Sequence, residues 1–193
     1  NGSILALNVH VASLGSKPRL GGIGSQPYLI EAKALHYAGL PSGTRVGSWR
    51  SVYMSQNTFF LESFLDECAT HGQRDPLEFR LELLKANARE RRVLETVAQM
   101  AGWRSRKSDG RHLGLAFAAG FNSLSAQIAE AVVTDGKLRI NKIFAVIDCG
   151  TAVNPNNIVA QMQGGILMAL SAALAEEITV HEGRVRQTNY DKY

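Results

Sequence analysis

The chain has 193 residues, 45% of them hydrophobic and 20% charged, with a formal net charge of +4. That balance is enough for a real core, and it excludes a disordered polymer or a mini-protein that needs staples. Two cysteines, Cys68 and Cys149, are too few for a disulfide framework. No basic stripe with interleaved aromatics suggests nucleic acid. The basic runs Arg89, Arg91, Arg92 and Arg104, Arg106, Lys107 read as solvated surface. No membrane span is expected, because Gln161, Gln163 and paired glycines interrupt the richest apolar stretch, Ile158–Ala175.

In chain order, Asn1-Gly2 is turn chemistry, the tip of a hairpin whose first strand would lie elsewhere. Ser3–Val11 then alternates as a half-buried strand. Gly15–Gly47 is irregular and glycine-rich, with three of the five prolines; a short helix is expected over Tyr28–Tyr37. Ser55–Thr70 is a helix. Ser55 should cap it, Phe60 and Phe64 with Leu61, Leu65 and Cys68 should face the core, and Glu62, Asp66 and Glu67 should face away. Gly72 should close it in a left-handed turn. Asp75-Pro76-Leu77-Glu78 opens a second helix that should run to about Ala88, with Asp75 as cap and Glu78 bonding back. Its core side is Leu77, Phe79, Leu81 and Leu84. A third helix covers Arg89–Ala101, with Val93, Leu94, Val97 and Met100 apolar and Gly102 as stop.

The period then changes from helix to strand. Leu113–Ala118, Ala126–Thr134 and Lys137–Ile147 are strands, the last two joined by an Asp135-Gly136 hairpin turn. Leu138, Ile140, Phe144 and Val146 should share one face. Asn154-Pro155 leads into a helix over Asn156–Ala175, and Ile178–Thr188 reads as a hairpin through Glu182-Gly183. Helices followed by hairpins, without strict alternation, imply an α+β fold. A strand and glycine-rich segment over 1–45 should precede a domain over 46–193, helical at 55–102 and mixed at 112–193.

General motifs are absent: no P-loop, no dinucleotide fingerprint, no nucleophile elbow. The five histidines are scattered, so no metal site is assigned. Three segments remain. In the first, Trp49-Arg50-Ser51-Val52 brings an aromatic and a guanidinium just ahead of a helix start, a combination that suits an anion. The second is the strand end and loop Val146–Pro155. The third is Ala160–Ile166, where Gln161 and Gln163 interrupt an apolar helix beside two glycines; an amide can both donate and accept toward a polar ligand. By residue type alone each has a bland alternative: a core tryptophan, a surface ion pair, packing glycines.

Taken together and in order, these segments resemble the large molybdenum-binding subunit of the xanthine dehydrogenase and aldehyde oxidase family, in its isoquinoline oxidoreductase beta branch. The resemblance rests on Trp49–Val52 followed by Ser55-Gln56-Asn57, on Glu62–Glu67, on Asp75–Leu84, on Val146–Asn156 and on Ala160–Ile166. It covers nearly everything from Val46 to Tyr193. It implies a molybdenum-pyranopterin, in bacteria usually the cytosine dinucleotide, and hydroxylation of an N-heterocycle or aldehyde with oxygen from water. Electrons would pass to a partner carrying 2Fe-2S clusters. It assigns cofactor contacts to Trp49, Arg50, Ser51, Val52 and Gln161, with Val52 bordering the substrate pocket. The family's catalytic glutamate is expected beyond Tyr193, so no residue here takes that role. The chain therefore reads as a piece of such a subunit, expected to be inactive and without cofactor alone. A non-catalytic binding or assembly module is the alternative. The compartment stays open between cytoplasm and periplasm.

Overall fold

The computed structural model describes residues 2–15, 17–41, 43, 47–105 and 110–193. Asn1, the expected boundary at Val46, and Arg106 and Lys107 lie outside the described residues. The fold is α+β, in two compact units, 1–150 and 151–193.

The first unit opens with β1 (Ala6–Leu14) and β2 (Ala32–Leu40), paired in parallel and in register from Ala6 against Ala32 to Leu14 against Leu40. The helix expected over Tyr28–Tyr37 is therefore β2. Leu7, Val9 and Val11 face the core from β1, and pairing to that strand overrides the helical spacing of the segment. Three helices follow: α1 (Met54–His71), α2 (Pro76–Leu83) and α3 (Ala88–Met100). The antiparallel sheet β3 (Arg111–Gly120), β4 (Ser123–Thr134) and β5 (Lys137–Asp148) closes the unit. Its hairpins turn through Phe121-Asn122 and Asp135-Gly136, all four residues at φ between 51° and 71°, the conformation a two-residue turn requires. A bulge between Glu130 and Ala131 shifts the β5 register. Phe144 and Val146 pair with buried Ile128 and Ala126, whereas Leu138 and Ile140 pair with Val133 and Ala131 on the opposite face. One inserted residue thus splits the single face expected for β5.

The caps explain the helices. Asp75 accepts the Leu77 and Glu78 amides and the Trp103 indole N–H, all at 2.9–3.2 Å. Glu78 does not bond back to the cap; it pairs with Arg104. The second helix ends at Leu83, five residues early, and Asn87 turns the chain by donating to Pro27 O at 3.0 Å. Gly72 ends α1 at φ −77°, and Gln73, at φ 53°, makes the left-handed step instead.

The largest departure lies on α1. Its buried positions are Asn57, Leu61, Glu62, Leu65 and Ala69. Phe60 and Phe64 are exposed, as is Phe59. Glu62, expected to face solvent, is 4% exposed, because three donors take it inward. Tyr28 Oη donates to Glu62 Oε1 at 2.8 Å, and Arg80 Nε and the Phe117 amide donate to Oε2 at 2.9 Å each. Arg80, fully buried, also donates to Glu62 O, Asp66 Oδ1 and Pro76 O. Burial pushes the Glu62 carboxyl up, and Arg80, Phe117 and Tyr28 pull it back. Burial opposes the Arg80 charge, yet Glu62, Tyr28 and Asp66 hold its pKa above the ordinary value. Around this cluster pack Leu65, Leu77, Phe79, Leu84, Leu94, Val97 and Phe117. Of the apolar positions read on the third helix, Val93, Leu94 and Val97 are buried and Met100 is exposed.

The second unit is α4 (Pro155–Leu174), a short hairpin of β6 (Val180–His181) and β7 (Arg184–Val185), and a terminal turn over Tyr190–Lys192. Asn154 caps α4 by accepting the Asn157 amide at 3.2 Å. No α4 residue is buried. By length and composition alone α4 is long and apolar enough to cross a membrane.

Arg80→Met should cost about 3–5 kcal/mol in urea denaturation, because it leaves the Glu62 carboxylate buried with one donor fewer. A loss below about 1 kcal/mol would show that Arg80 does not anchor the core.

Candidate functional site

The Trp49–Val52 segment forms a tight turn running straight into α1. The Val52 amide donates to Trp49 O at 2.9 Å and the Met54 amide to Ser51 O at 3.0 Å. Ser51 and Val52 both lie in the left-handed region, at φ 67° and 56°. That is a costly conformation for a β-branched residue, worth about 1–3 kcal/mol, and it persists only where the surroundings enforce it.

Three contacts just beyond the turn do so. The Tyr53 ring lies against Gly21, where a Cβ would come within 2.5 Å of it. The Met54 tip lies over Gly120, where a Cβ would come within 2.3 Å. Asn57, buried, donates through Nδ2 to Arg19 O at 2.7 Å and Gly21 O at 2.8 Å. The glycine-rich loop and the end of β3 thereby fix the start of α1 from both sides. Ser55, the expected cap, bonds to Gln56 instead; the cap position is Tyr53, which supplies no side-chain acceptor. The first turn of α1 contains no acid. An uncapped, acid-free helix start leaves amide donors and a positive dipole end facing solvent.

Trp49 is 49% exposed and Val52 41%. The alternative in which Trp49 is a core residue is therefore set aside. Arg50 and Ser51 are also exposed. These four residues lie together on one turn of the first unit. Gln161 is on α4 in the second unit, exposed, with Gln163 two positions on.

The strand-loop segment has an anchor that residue spacing did not reveal. Arg89, at the start of α3, grips Asp148 at the end of β5 with both Nε and Nη2 at 2.8 Å. The guanidinium also reaches Asp148 O and Asn122 O, and Asp148 accepts the Gly150 amide at 3.0 Å. The Arg89 hydrogen bonds, with the Gly150 amide, hold the Asp148 carboxyl well below the usual carboxylate range. Cys149 and Cys68 are free, half-buried thiols, and burial pushes the Cys68 thiol up. Among the described residues no group of three or more His, Cys, Asp or Glu side chains could hold a metal ion.

Two outcomes test this geometry. Gly21→Ala should destabilise the chain by about 1–3 kcal/mol by driving a methyl into the Tyr53 ring, whereas Gly114→Ala, with open space at its Cβ, should stay within about 0.5 kcal/mol; equal effects would contradict the anchoring. A carboxyl whose folded pKa is depressed adds stability above its unfolded pKa and loses it as pH falls through the folded one. A carbon-detected NMR titration should therefore find Asp148 still ionised at pH values where ordinary aspartates, near pKa ~3.9, are half protonated; an ordinary midpoint would show that the clamp is not held in solution.

Comparison with known proteins gives the family of the chain. A molybdopterin cofactor-binding domain family matches residues 68–193. The chain is 33% identical over 149 residues to the beta subunit of an isoquinoline 1-oxidoreductase from Brevundimonas diminuta, covering 75% of this chain and 19% of the relative. It is 28% identical over 170 residues to a membrane-bound aldehyde dehydrogenase (pyrroloquinoline-quinone) of Gluconacetobacter polyoxogenes, covering 77% and 22%. It is 27% identical over 166 residues to a nicotinate dehydrogenase subunit of Pseudomonas putida, covering 76% and 14%. The chain thus spans roughly a fifth or less of the length of these relatives. The alternation of buried anchors and exposed turn sits within a chain that belongs to the molybdopterin cofactor-binding domain family of molybdenum hydroxylase large subunits.

Proposed function

We propose that the chain supplies part of the cofactor-holding wall of a molybdenum hydroxylase large subunit. The assembled enzyme would hydroxylate a carbon of an aromatic N-heterocycle or an aldehyde, with water as the oxygen source. A partner bearing 2Fe-2S clusters would receive the electrons. The observation that carries this reading is the strained, acid-free turn at Trp49–Val52, held open at the head of α1 in a chain of this family.

The residues present fit such a group. A molybdenum-pyranopterin, here proposed in its cytosine dinucleotide form, is anionic along its phosphates and rich in donors and acceptors at its pterin edge. When bound, it supplies the two-electron redox centre. The Arg50 guanidinium, with the uncapped first-turn amides of α1 just beyond Ser51 and Val52, would bind anionic oxygen, while the Val52 amide stays on Trp49 O and holds the turn closed. The Gln161 amide would orient a polar ligand edge, since it can donate and accept at once. Preorganised amides stabilise charge without rearranging as it develops, and the anchored turn meets that condition. Trp49 and Val52, both exposed, offer an apolar border suited to a flat aromatic substrate. None of the chain's carboxylates is proposed as a general base. Glu62 is committed to three donors, and Glu176 accepts from Tyr193 Oη at 2.9 Å.

In a full-length large subunit assembled with its partner, Arg50→Ala and Gln161→Ala should each lower kcat/KM roughly 10–100-fold, as losing a group that orients a metal's ligands does elsewhere. Thermal unfolding should stay near the parent. Unchanged kinetics together with unchanged molybdenum content in both variants would overturn the assignment.

A further inference from the structure

Two of the histidines scattered along the sequence meet on the first sheet. His10 lies on β1 and His36 on β2, and the parallel register makes them direct Cα partners. Opposite residues on paired strands lie about 5 Å apart and project to the same side. The two imidazoles stack there, with ring centroids 4.3 Å apart and planes 16° from parallel. Both are exposed, while Leu7, Val9 and Val11 alternate toward the core on the other face.

The surroundings leave both rings available. Among the described residues neither imidazole makes a hydrogen bond or an ion pair. Their neighbours on the same face are the paired Asn8 and Ala34 on one side and the paired Ala12 and Ala38 on the other, all exposed. Three alanines put little bulk beside the rings, and none of the four neighbours carries a charge that would repel a cation. A neutral imidazole with a ring nitrogen to offer is a good ligand for zinc, copper and nickel. Two of them on one rigid ladder act together, because the second nitrogen binds within the same molecule.

We propose that His10 and His36 form a chelating pair for a divalent transition-metal ion of the nickel, copper or zinc kind. Each ring gives one nitrogen, and water fills the remaining positions. Metal–imidazole bonds of about 2.0–2.1 Å bring two ligating nitrogens to roughly 3 Å from each other. The rings, stacked at 4.3 Å, therefore tilt toward each other at one edge, and the small neighbours permit that rotation. Two protein ligands make an open, exchangeable site, not a closed structural cage. That agrees with the finding that no group of three metal-ligating side chains exists among the described residues. A bound ion ties β1 to β2 and stabilises both strands by mass action. The inference stands apart from the cofactor role proposed for the Trp49–Val52 turn.

The test titrates nickel(II) chloride into the untagged 193-residue chain, followed by NMR and by amide hydrogen exchange. Paramagnetic nickel should broaden the His10 and His36 ring signals first, at one ion per chain, and slow exchange across β1 and β2. His10→Ala and His36→Ala, at exposed positions, should each weaken binding about tenfold or more, because the chelate is lost. His36→Phe separates chelation from packing. It keeps a ring to stack on His10 but removes the ligating nitrogen, so the metal-free strands should exchange as in the parent while the nickel effect disappears. His112→Ala, on β3, should bind nickel as the parent does. Circular dichroism confirms folding of each variant. Equal broadening of all histidines, no broadening at the pair, or parent-like binding by any of the three variants of the pair would overturn the proposal. So would one ion per two chains, which would place the ligands on separate copies.

Discussion

A carboxylate and a guanidinium buried side by side decide how the first unit is put together. Glu62 has no water to turn to, so its lone pairs must meet protein donors. Those donors come from three distant parts of the chain: Tyr28 ahead of β2, Arg80 on α2, and the Phe117 amide in the middle of β3. Hydrogen bonds have direction, which apolar contacts lack. Leu65, Leu77 and Leu94 could bury similar area in several arrangements, but only one places three donors on one carboxylate. Once both charges are buried, removing either leaves the other uncompensated, so the cluster acts as a unit.

The rest follows from how that cluster rotates α1. With Glu62 inward, Leu61, Leu65 and Ala69 go with it, and Phe59, Phe60 and Phe64 are left on the outside. The same rotation presents the first turn of α1 to the glycine loop and the end of β3, where Tyr53, Met54 and Asn57 lock in. The Ser51-Val52 strain is tolerable only because that lock exists. The core therefore reaches the Trp49–Val52 turn through one rigid helix. A second clamp, Arg89 on Asp148, fixes the end of β5 where the chain leaves the first unit. It draws on groups that residue spacing treats as ordinary surface charge.

Local chemistry was the legible part of the sequence. Asp75-Pro76 announced a helix start, and Asp135-Gly136 announced a hairpin, because both act within a few residues. The α+β order, α3 and the capped start of α4 were readable for the same reason. What stayed hidden depends on partners far along the chain. Nothing near Glu62 signals that Tyr28 and Arg80 will meet it, so it read as a solvent-facing acid and Phe60 as core. Tyr28–Tyr37 carried helical spacing until β1 claimed Ala32–Leu40 as a strand. The β5 bulge is one residue long and leaves no compositional mark. Among the site residues, the resemblance singled out Trp49–Val52, and the structure adds why the turn is fixed: Gly21, Gly120 and Asn57, none of which stood out by type.

Native-state hydrogen exchange on the Glu62→Gln chain tests the central claim most directly. If Glu62 is the joint, its loss should lower protection in α1, in α2 and around Phe117 in β3 together and by a similar free energy, as one cooperative unit does. A change confined to the Phe117 amide, with α1 and α2 protected as before, would contradict the account.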